Sequence, residues 1–324
     1  MRRAVLLLAV SAGFFAQSAP AAPVQALAFS PDSTVLAAAA GRDVTLRAAA
    51  TGRELKKLSC DHERATALAF QQSGTLLAVG TGTPGERGGV RLLDWRQHRW
   101  LGPPASHTDV VTSLAFSPDG QTLAAASADH GAVLSRIEDG GARLTRTLAL
   151  TGHSAAVQAL AFNPDGQTLV TASVDRSLKV WSATDGKLLR SFGQHTAAVQ
   201  ALAFRPVMPG RADAPAECAS GGDDRTVRVW QPSIGRMVRI VRRHDGPVLA
   251  LVFAPDGRAL SAGKEGIIRR IDADSDEVPG AWRASTDWIY SLAVSPDGQT
   301  LAAGDWSGAV RRWSIAGNTS KALD

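Results

Sequence analysis

The sequence contains few of the residues on which redox, disulfide and metal sites depend. Among its 324 residues are two cysteines, three methionines and one tyrosine. Cys60 and Cys218 show none of the paired spacings of a zinc site, a redox motif or a haem attachment site. They fall in the second and fifth of seven sequence repeats, and a ring of seven repeats would hold these two farther apart than the roughly 7 Å between Cα atoms that a disulfide allows. We therefore expect two unpaired thiols.

Short signatures of common active sites are also absent. No G-x-S-x-G, H-E-x-x-H or G-x-x-x-x-G-K segment occurs in the sequence. One G-x-G-x-x-G match, residues 80–85, contains Pro84 and is not followed by a βαβ helix, so we interpret it as an expanded corner loop. The sequence therefore predicts no catalytic residue, no metal ligand and no cofactor.

Long runs of one charge sign are missing as well. The formal net charge is +5, but lysine and arginine are scattered and form no run of five or more. This distribution predicts no nucleic-acid partner. The abundant residues are glycine and proline, 31 and 16 in number, which suit many tight turns between short strands.

The N-terminus has the pattern of a secretory signal peptide. Arg2 and Arg3 precede an apolar run over residues 4–15, and small residues follow up to Ala21. We expect residues 1–21 to be removed near Ala21, so that the mature protein is periplasmic or secreted and has no stable membrane insertion. An uncleaved membrane anchor is the alternative, although this run is shorter than the roughly 20 apolar residues that span a bilayer.

One six-residue segment recurs along the whole chain. The last residues of successive copies lie 41, 46, 46, 42, 49 and 41 positions apart. A period of roughly 40–45 residues indicates propeller blades. The seven copies begin at Val24, Ala65, Val111, Val157, Val199, Val248 and Ile289.

Each repeat predicts four antiparallel strands. In residues 157–162, Val, Ala and Ala alternate with Gln, Leu and Phe, as a strand packed on both faces requires. A Pro-Asp-Gly turn follows in four of the copies, and further strands are predicted at 168–173, 178–181 and 187–191.

The predicted fold is all-β, a single seven-bladed β-propeller of four-stranded antiparallel blades over residues 22–324. These blades account for the chain after residue 21 and leave no room for a separate catalytic domain. Their approximate bounds are 22–59, 60–104, 105–149, 150–191, 192–240, 241–281 and 282–324.

The repeats resemble the WD40 family, in its exported bacterial form. Gly152-His153 precedes an inner strand, and Asp175 stands six residues before Trp181. In that family His, Ser or Thr, Asp and Trp form a hydrogen-bonded tetrad, and a neutral His can relay between a hydroxyl and a carboxylate. The resemblance implies two structural tetrads, His153, Thr171, Asp175 and Trp181 in one blade and His195, Ser220, Asp224 and Trp230 in the next.

The tetrad pattern decays in the other repeats. The histidine position is kept by His62, His107 and His244, for which we predict structural roles rather than metal ligation, but the repeat at Val24 has no histidine. We expect these blades to rely on apolar packing, with Leu93, Ser135 and Ile271 at the tryptophan position. The last outer strand is predicted at about 320–323, because the first inner strand begins where the signal ends.

Partners of such propellers usually dock on the face that carries the loop before each inner strand and the corner after each second strand, here called the corner face. Mixed charge and exposed aromatic residues on this face favour a protein or peptide over a polyanion. Filling space in a blade without a tetrad is the alternative role for Trp288 or Trp306. The predicted partner-binding residues are Trp288, Tyr290, Trp306, Lys264, Asp223, Arg225, Asp129 and Arg42.

The sequence favours a non-catalytic scaffold that binds a protein or peptide, as a monomeric propeller within a complex. Two alternatives remain open at this point. One is a propeller-type hydrolase or lactonase with a site in the central channel, which would need carboxylates and imidazoles there. The other is an accessory subunit of an envelope or electron-transfer complex.

Overall fold

The protein consists of short antiparallel strands. The structure, a computed structural model, describes residues 21–141, 143–211, 213–275, 277–315 and 321–323. Residues 1–20, which hold nearly all of the predicted signal peptide, lie outside the described residues. The described part contains 28 strands and one short 3₁₀ helix, Asp139–Gly141.

The strands of the first four blades follow one another from the innermost to the outermost position. Blade 1 has β1 (Val24–Phe29), β2 (Val35–Ala40), β3 (Asp43–Ala48) and β4 (Glu54–Ser59). Blade 2 has β5 (Arg64–Phe70), β6 (Leu76–Thr83), β7 (Arg87–Asp94) and β8 (Arg99–His107). Blade 3 has β9 (Val111–Phe116), β10 (Thr122–Ser127), β11 (Gly131–Glu138) and β12 (Arg143–Thr151). Blade 4 has β13 (Val157–Phe162), β14 (Thr168–Ser173), β15 (Leu178–Ser182) and β16 (Leu188–Phe192).

The remaining three blades have the same order. Blade 5 has β17 (Val199–Phe204), β18 (Cys218–Gly222), β19 (Val227–Gln231) and β20 (Arg236–Val241). Blade 6 has β21 (Val248–Phe253), β22 (Ala259–Gly263), β23 (Ile267–Ile271) and β24 (Gly280–Arg283). Blade 7 has β25 (Ile289–Val294), β26 (Thr300–Asp305), β27 (Val310–Ser314) and β28 (Lys321–Leu323).

The seven sheets close into a ring. Each inner strand contacts the inner strand of the next blade, and β25 contacts β1. All pairings within a sheet are antiparallel, and the sheets have four strands each. The predicted fold class, a seven-bladed β-propeller of four-stranded blades, is therefore confirmed.

The apolar core is divided among the contacts between neighbouring blades. Seven clusters of buried residues lie in the described chain, and each combines side chains of two adjacent blades. Between blades 3 and 4, for example, Ala124 and Leu134 pack with Leu169 and Trp181. Small alanines in the inner and second strands let the sheets approach closely, which retains the packing density that a protein core needs.

The ring is closed at the seam between blades 7 and 1. Arg312 Nη1 donates to the carbonyl oxygen of Ala49 over 2.5 Å, and the Ser291 hydroxyl donates to that of Val24 over 3.2 Å. Strand β28 pairs with β27, so the outer strand of the last blade comes from the C-terminal segment, as predicted. Residue 320, where this strand was expected to start, lies outside the described residues.

Two sequence predictions on blade 2 and blade 3 need correction. Residues 80–85 are not an expanded corner loop, since β6 continues to Thr83 and Gly82 pairs with Gly88. The glycine serves close packing instead, because a Cβ on Gly82 would lie 2.6 Å from Val110 Cα of the next blade. Strands β8 and β12 also run past the predicted blade ends at 104 and 149, because long hairpins pair them with β7 and β11.

Candidate functional site

A hydrogen-bonded chain of four side chains links the corner of blade 4 to its core. His153 Nδ1 lies 2.8 Å from Asp175 Oδ2, and His153 Nε2 lies 2.8 Å from Thr171 Oγ1. The Trp181 indole N–H donates to the same hydroxyl oxygen over 2.8 Å. With the Nδ1 proton on the carboxylate side, Nε2 accepts from Thr171, so every polar group in the chain has a partner.

Blade 5 repeats this arrangement with serine in place of threonine. His195 lies 2.8 Å from both Asp224 Oδ2 and Ser220 Oγ, and the Trp230 indole donates to Ser220 over 2.8 Å. Arg228 adds an ion pair to Asp224 at 3.1 Å. The eight residues implied by the family resemblance thus lie together as two four-membered sets.

The electrostatics of blade 4 keep its histidine neutral and its aspartate ionised. Burial lowers the pKa of His153, although the hydrogen bond to Asp175 acts in the opposite direction. Burial on its own would raise the pKa of Asp175, but hydrogen bonds from Ser177 and His153 hold it at about 2. A neutral imidazole that is enclosed and fully bonded is a structural relay and has no free nitrogen for catalysis.

Blade 6 contains a network of which the sequence predicted only the structural role of His244. His244 bonds to Ser261 Oγ over 2.8 Å and to the Glu265 carboxylate, which also pairs with Arg269. We expected this blade to rely on apolar packing because Ile271 replaces the tryptophan. Ile271 is indeed fully buried, but the polar chain persists with glutamate in place of aspartate. The sequence signal that could have predicted this network is Glu265, an acidic residue at the corner position that Asp175 holds in blade 4.

Blade 7 fills the same region in another way. Asp305 is 1% exposed and accepts hydrogen bonds from Ser285 Oγ over 2.7 Å and Ser307 Oγ over 2.6 Å. Arg311 completes the set as an ion pair. Burial alone would raise the pKa of Asp305, but these bonds hold it at about 2. Ser285 precedes Ile289 by four residues, as His153 precedes Val157, so it occupies the tetrad histidine position.

Two of the predicted structural histidines and the cysteines need separate description. His62 is exposed, and Glu63 instead accepts from the Thr81 hydroxyl, so the structural role predicted for His62 is wrong. His107 is half-buried, and burial lowers its pKa. Cys60 and Cys218 are buried free thiols, as expected, and burial raises the pKa of Cys60 to about 12.

The corner face repeats one backbone contact from blade to blade. In blade 7 the Trp306 amide donates to the Trp288 carbonyl over 2.9 Å, which fixes the corner against the loop before β25. The equivalent bonds in blades 3 to 6 measure 2.9–3.1 Å. They join Ala128 to Val110, Val174 to Ala156, Asp223 to Ala198 and Lys264 to Pro247. These positions therefore correspond structurally, whatever side chains they carry.

Three aromatic rings meet on the corner face of blade 7, and we call them the aromatic cluster. The ring centroids of Trp288, Tyr290 and Trp306 are 5.6–6.3 Å apart. Trp288 is 39% exposed and Trp306 is 49% exposed. Lys264 Nζ lies 4.2 Å from the centroid of the Trp288 ring, so it makes a cation–π contact from the neighbouring blade. Four of the predicted partner-binding residues thus form one connected group, in which Lys264 contacts Trp288.

The other four predicted partner-binding residues are spread around the ring. Arg42 and Arg225 are exposed at the corners of blades 1 and 5. Asp223 is half-buried and accepts from the Gln200 amide over 3.1 Å. Asp129 is exposed in blade 3 and accepts from Thr108 over 2.8 Å. These residues share the corner face but do not join the aromatic cluster.

The inner strands carry few groups with acid–base or metal chemistry. Every inner strand skips one residue in its pairing with the second strand, which is the pattern of a β-bulge. Within the described ranges no group of three or more His, Cys, Asp or Glu side chains could hold a metal ion. The same ranges contain no helix with the length and apolar character of a membrane span. The residues skipped at the bulges of the inner strands, none of them His, Cys, Asp or Glu, are Gln25, Thr66, Thr112, Gln158, Gln200, Leu249 and Tyr290.

Comparison with protein families adds sequence relationships to this geometry. The family model for the WD domain, G-beta repeat, matches more than half of the chain, in five segments. Each segment begins in or just before the outer strand of one blade and ends in or just after the third strand of the next, so the sequence repeat is offset from the blade by one strand. The matched residues are 103–134, 143–182, 186–231, 235–272 and 278–314.

Two curated relatives match a shorter part of the chain. Over 90 residues it is 33% identical to Echinoderm microtubule-associated protein-like 2 of Homo sapiens and 32% identical to that of Rattus norvegicus. The matched part is 28% of this chain and 13% of each relative. The matched segment therefore corresponds to a small part of these larger proteins.

Proposed function

Because this chain belongs to the WD40 repeat family, we propose that it is a non-catalytic scaffold that binds a protein or peptide on its corner face. Propellers of this family generally mediate protein interactions, and the name of the two relatives describes association with another protein assembly. We do not propose microtubules as a partner of this chain, because the match to these relatives covers 28% of it. We propose that the propeller acts as a monomer within a complex.

The aromatic cluster is the observation that carries the proposal. Blade 4 has Ala156, Gln158 and Val174 where blade 7 has its three aromatic residues, yet both blades form the same corner bond. The fold thus does not require aromatic side chains at these positions. Large aromatic residues that are half-exposed next to one another are typical of interface hot spots.

The alternative role for these tryptophans was to fill space left by the missing histidine of blade 7. That space holds Ser285, Asp305 and Arg311, which are joined by hydrogen bonds and an ion pair. Trp288 and Trp306 retain 39% and 49% exposure beside this network. The exposure of both rings supports a binding role over a filling role.

Export is part of the proposal and rests on the N-terminal sequence. The two arginines, the apolar run and the small residues up to Ala21 have the order of a cleavable signal. We therefore propose a periplasmic or secreted mature protein. N-terminal sequencing of the native protein should give a chain that begins near Ala22, and a native chain that retains residues 1–21 would contradict the proposal.

Replacement of Trp306 with alanine tests the binding role. Because this ring is half-exposed, we expect the melting temperature to stay within about 2 °C of the parent value, while affinity for the captured partner falls roughly 30-fold. Thermal unfolding measures the melting temperature, and affinity capture from the native envelope followed by titration with the identified partner measures the affinity. Ile234→Ala is the matched control, because Ile234 is 53% exposed on the opposite face. Unchanged affinity with a lower melting temperature would show that Trp306 only supports the fold.

A further inference from the structure

Exposed cations surround the aromatic cluster on its own sector of the corner face. Lys264 of blade 6 contacts Trp288 directly. On the other side, a Cβ added to Gly41, beside Arg42 in blade 1, would lie 3.0 Å from Ala22 Cβ, and one added to Gly308 in blade 7 would lie 2.9 Å from the Ala22 carbonyl oxygen, so both corners lie against Ala22. Blades 5 and 6 add the exposed Arg225, Arg242 and Arg243. In the described part of the chain, none of these five cations has a carboxylate within ion-pair distance.

The carboxylates of the same sector are mostly bound by internal partners. Asp224 pairs with His195 and Arg228, and Glu265 pairs with His244 and Arg269. In blades 7 and 1, Asp305 is buried under Arg311 and Asp43 pairs with Lys57 at 2.8 Å. The arginines of blades 5 to 7 stand at one equivalent position of the third strand, opposite Ser220, Ser261 and Ala303.

The exposed charge that remains in this sector is therefore mainly positive. Asp245 is 92% exposed, while Asp223 and Asp287 are half-buried. Asp287 accepts from the Trp288 backbone amide over 2.8 Å, and Asp223 accepts from Gln200. An aromatic platform with a cation that has no carboxylate partner on each side complements a segment that combines an apolar side chain with carboxylates.

We propose that the partner of this site is an acidic peptide segment, in which an apolar or aromatic side chain packs on Trp306 while neighbouring aspartates or glutamates pair with Lys264 and Arg42. This inference rests on the proposed function, since it specifies the chemistry of the partner at the same site. The cation–π contact holds the Lys264 ammonium over the Trp288 ring, where a carboxylate of the peptide would pair with it while the aromatic cluster keeps its arrangement. Arg42 provides a second anchor across the seam.

Peptide titration tests the charge preference. The probe is a fluorescein-labelled eleven-residue peptide with a central phenylalanine and glutamates on both sides, measured by fluorescence anisotropy with the full-length protein at low salt. We expect it to bind at least about tenfold more tightly than the same peptide with glutamine for glutamate or with alanine for phenylalanine. Lys264→Glu should weaken binding by a similar factor. Arg53→Glu on the opposite face should leave it unchanged, with both melting curves as folding controls.

The outcomes separate this inference from the proposed function. If peptides with glutamine or lysine in place of glutamate bind as tightly as the acidic peptide, and binding still depends on Trp306, the acidic preference is overturned while the binding site stands. If an eleven-nucleotide oligothymidine competes regardless of Trp306, the cations form a polyanion site and the inference fails. Absence of binding by the acidic peptide also overturns it. Loss of partner capture that is independent of Trp306 would remove the proposed function itself.

Discussion

Replacement of Trp230 with alanine lowers the free energy of unfolding by about 3–5 kcal/mol. This indole is 1% exposed and packs against Phe192, with ring centroids 5.3 Å apart. Its N–H also donates to Ser220, which in turn bonds His195. Truncation therefore opens a cavity between blades 4 and 5 and leaves the serine oxygen without its indole donor. Chemical denaturation followed by far-UV circular dichroism measures the change.

A pair of variants separates the cavity from the hydrogen bond. Trp230→Phe retains most of the packing volume but removes the donor, so it should cost less than the alanine variant, about 1–3 kcal/mol. Trp306→Ala removes an equally large ring from an exposed site and should stay within about 1 kcal/mol of the parent. Equal losses for Trp230→Ala and Trp306→Ala would mean that tetrad burial is not what stabilises the propeller.

Replacement of Arg269 with methionine destabilises the protein by about 3–5 kcal/mol at pH 8, because the Glu265 carboxylate loses its permanent counterion. Both side chains are 10% exposed, so solvent does not replace the missing charge. The neighbouring His244 is buried and neutral, because burial lowers its pKa and the charge of Arg269 lowers it further. Denaturant titrations at several pH values measure the loss.

The variant should lose less stability than the parent as the pH falls from 8 to 6. In the parent, the lowered pKa of His244 gives stability that is present above its unfolded value of 6.5 and is lost as the pH falls through the folded value. Without Arg269, one cause that lowers the pKa of His244 is removed while the hydrogen bond and charge of Glu265 still raise it, so His244 takes up a proton more readily as the pH falls and restores a counterion. The deficit should therefore shrink by about 1 kcal/mol or more between pH 8 and pH 6.

A surface pair provides the control for this experiment. Arg143 pairs with Glu138 in blade 3, but the arginine side chain is 64% exposed. Arg143→Met should change the stability by less than about 1 kcal/mol at either pH. A pH-independent deficit in the Arg269 variant would show that His244 does not take up the missing charge and that the loss comes from packing alone.

The repeat period was sufficient to predict the fold, because it reports how many times the same unit is stacked. Inner strands, turns and tetrads follow from residues that are close in sequence, as in blade 4. Contacts between blades are less visible. The sequence alone indicates a loop residue at Gly82. The structure shows that a side chain there would collide with Val110 of the next blade.

The candidate site was only partly predictable for a similar reason. Trp288, Tyr290 and Trp306 were recognised by their placement in one repeat, but the contact of Lys264 with Trp288 crosses from one blade to the next. A structural role was predicted for His244, but its partners were missed because glutamate replaced aspartate, and a search for the usual residue types passes over that exchange. The buried Asp305 network could not be predicted, since only Ser285 stands at a tetrad position, while Asp305 and Arg311 stand at positions that the tetrad does not use.

The shared corner bond also bears on valency. Since the backbone at Trp288 and Trp306 matches that at Ala156 and Val174, a recognition site can be copied from one blade to another without redesign of the ring. A propeller with aromatic clusters on blades 4 and 7 would hold two copies of a partner segment at a fixed spacing. A ligand with both segments on one linker would then gain avidity from its effective concentration, while each individual contact remained weak.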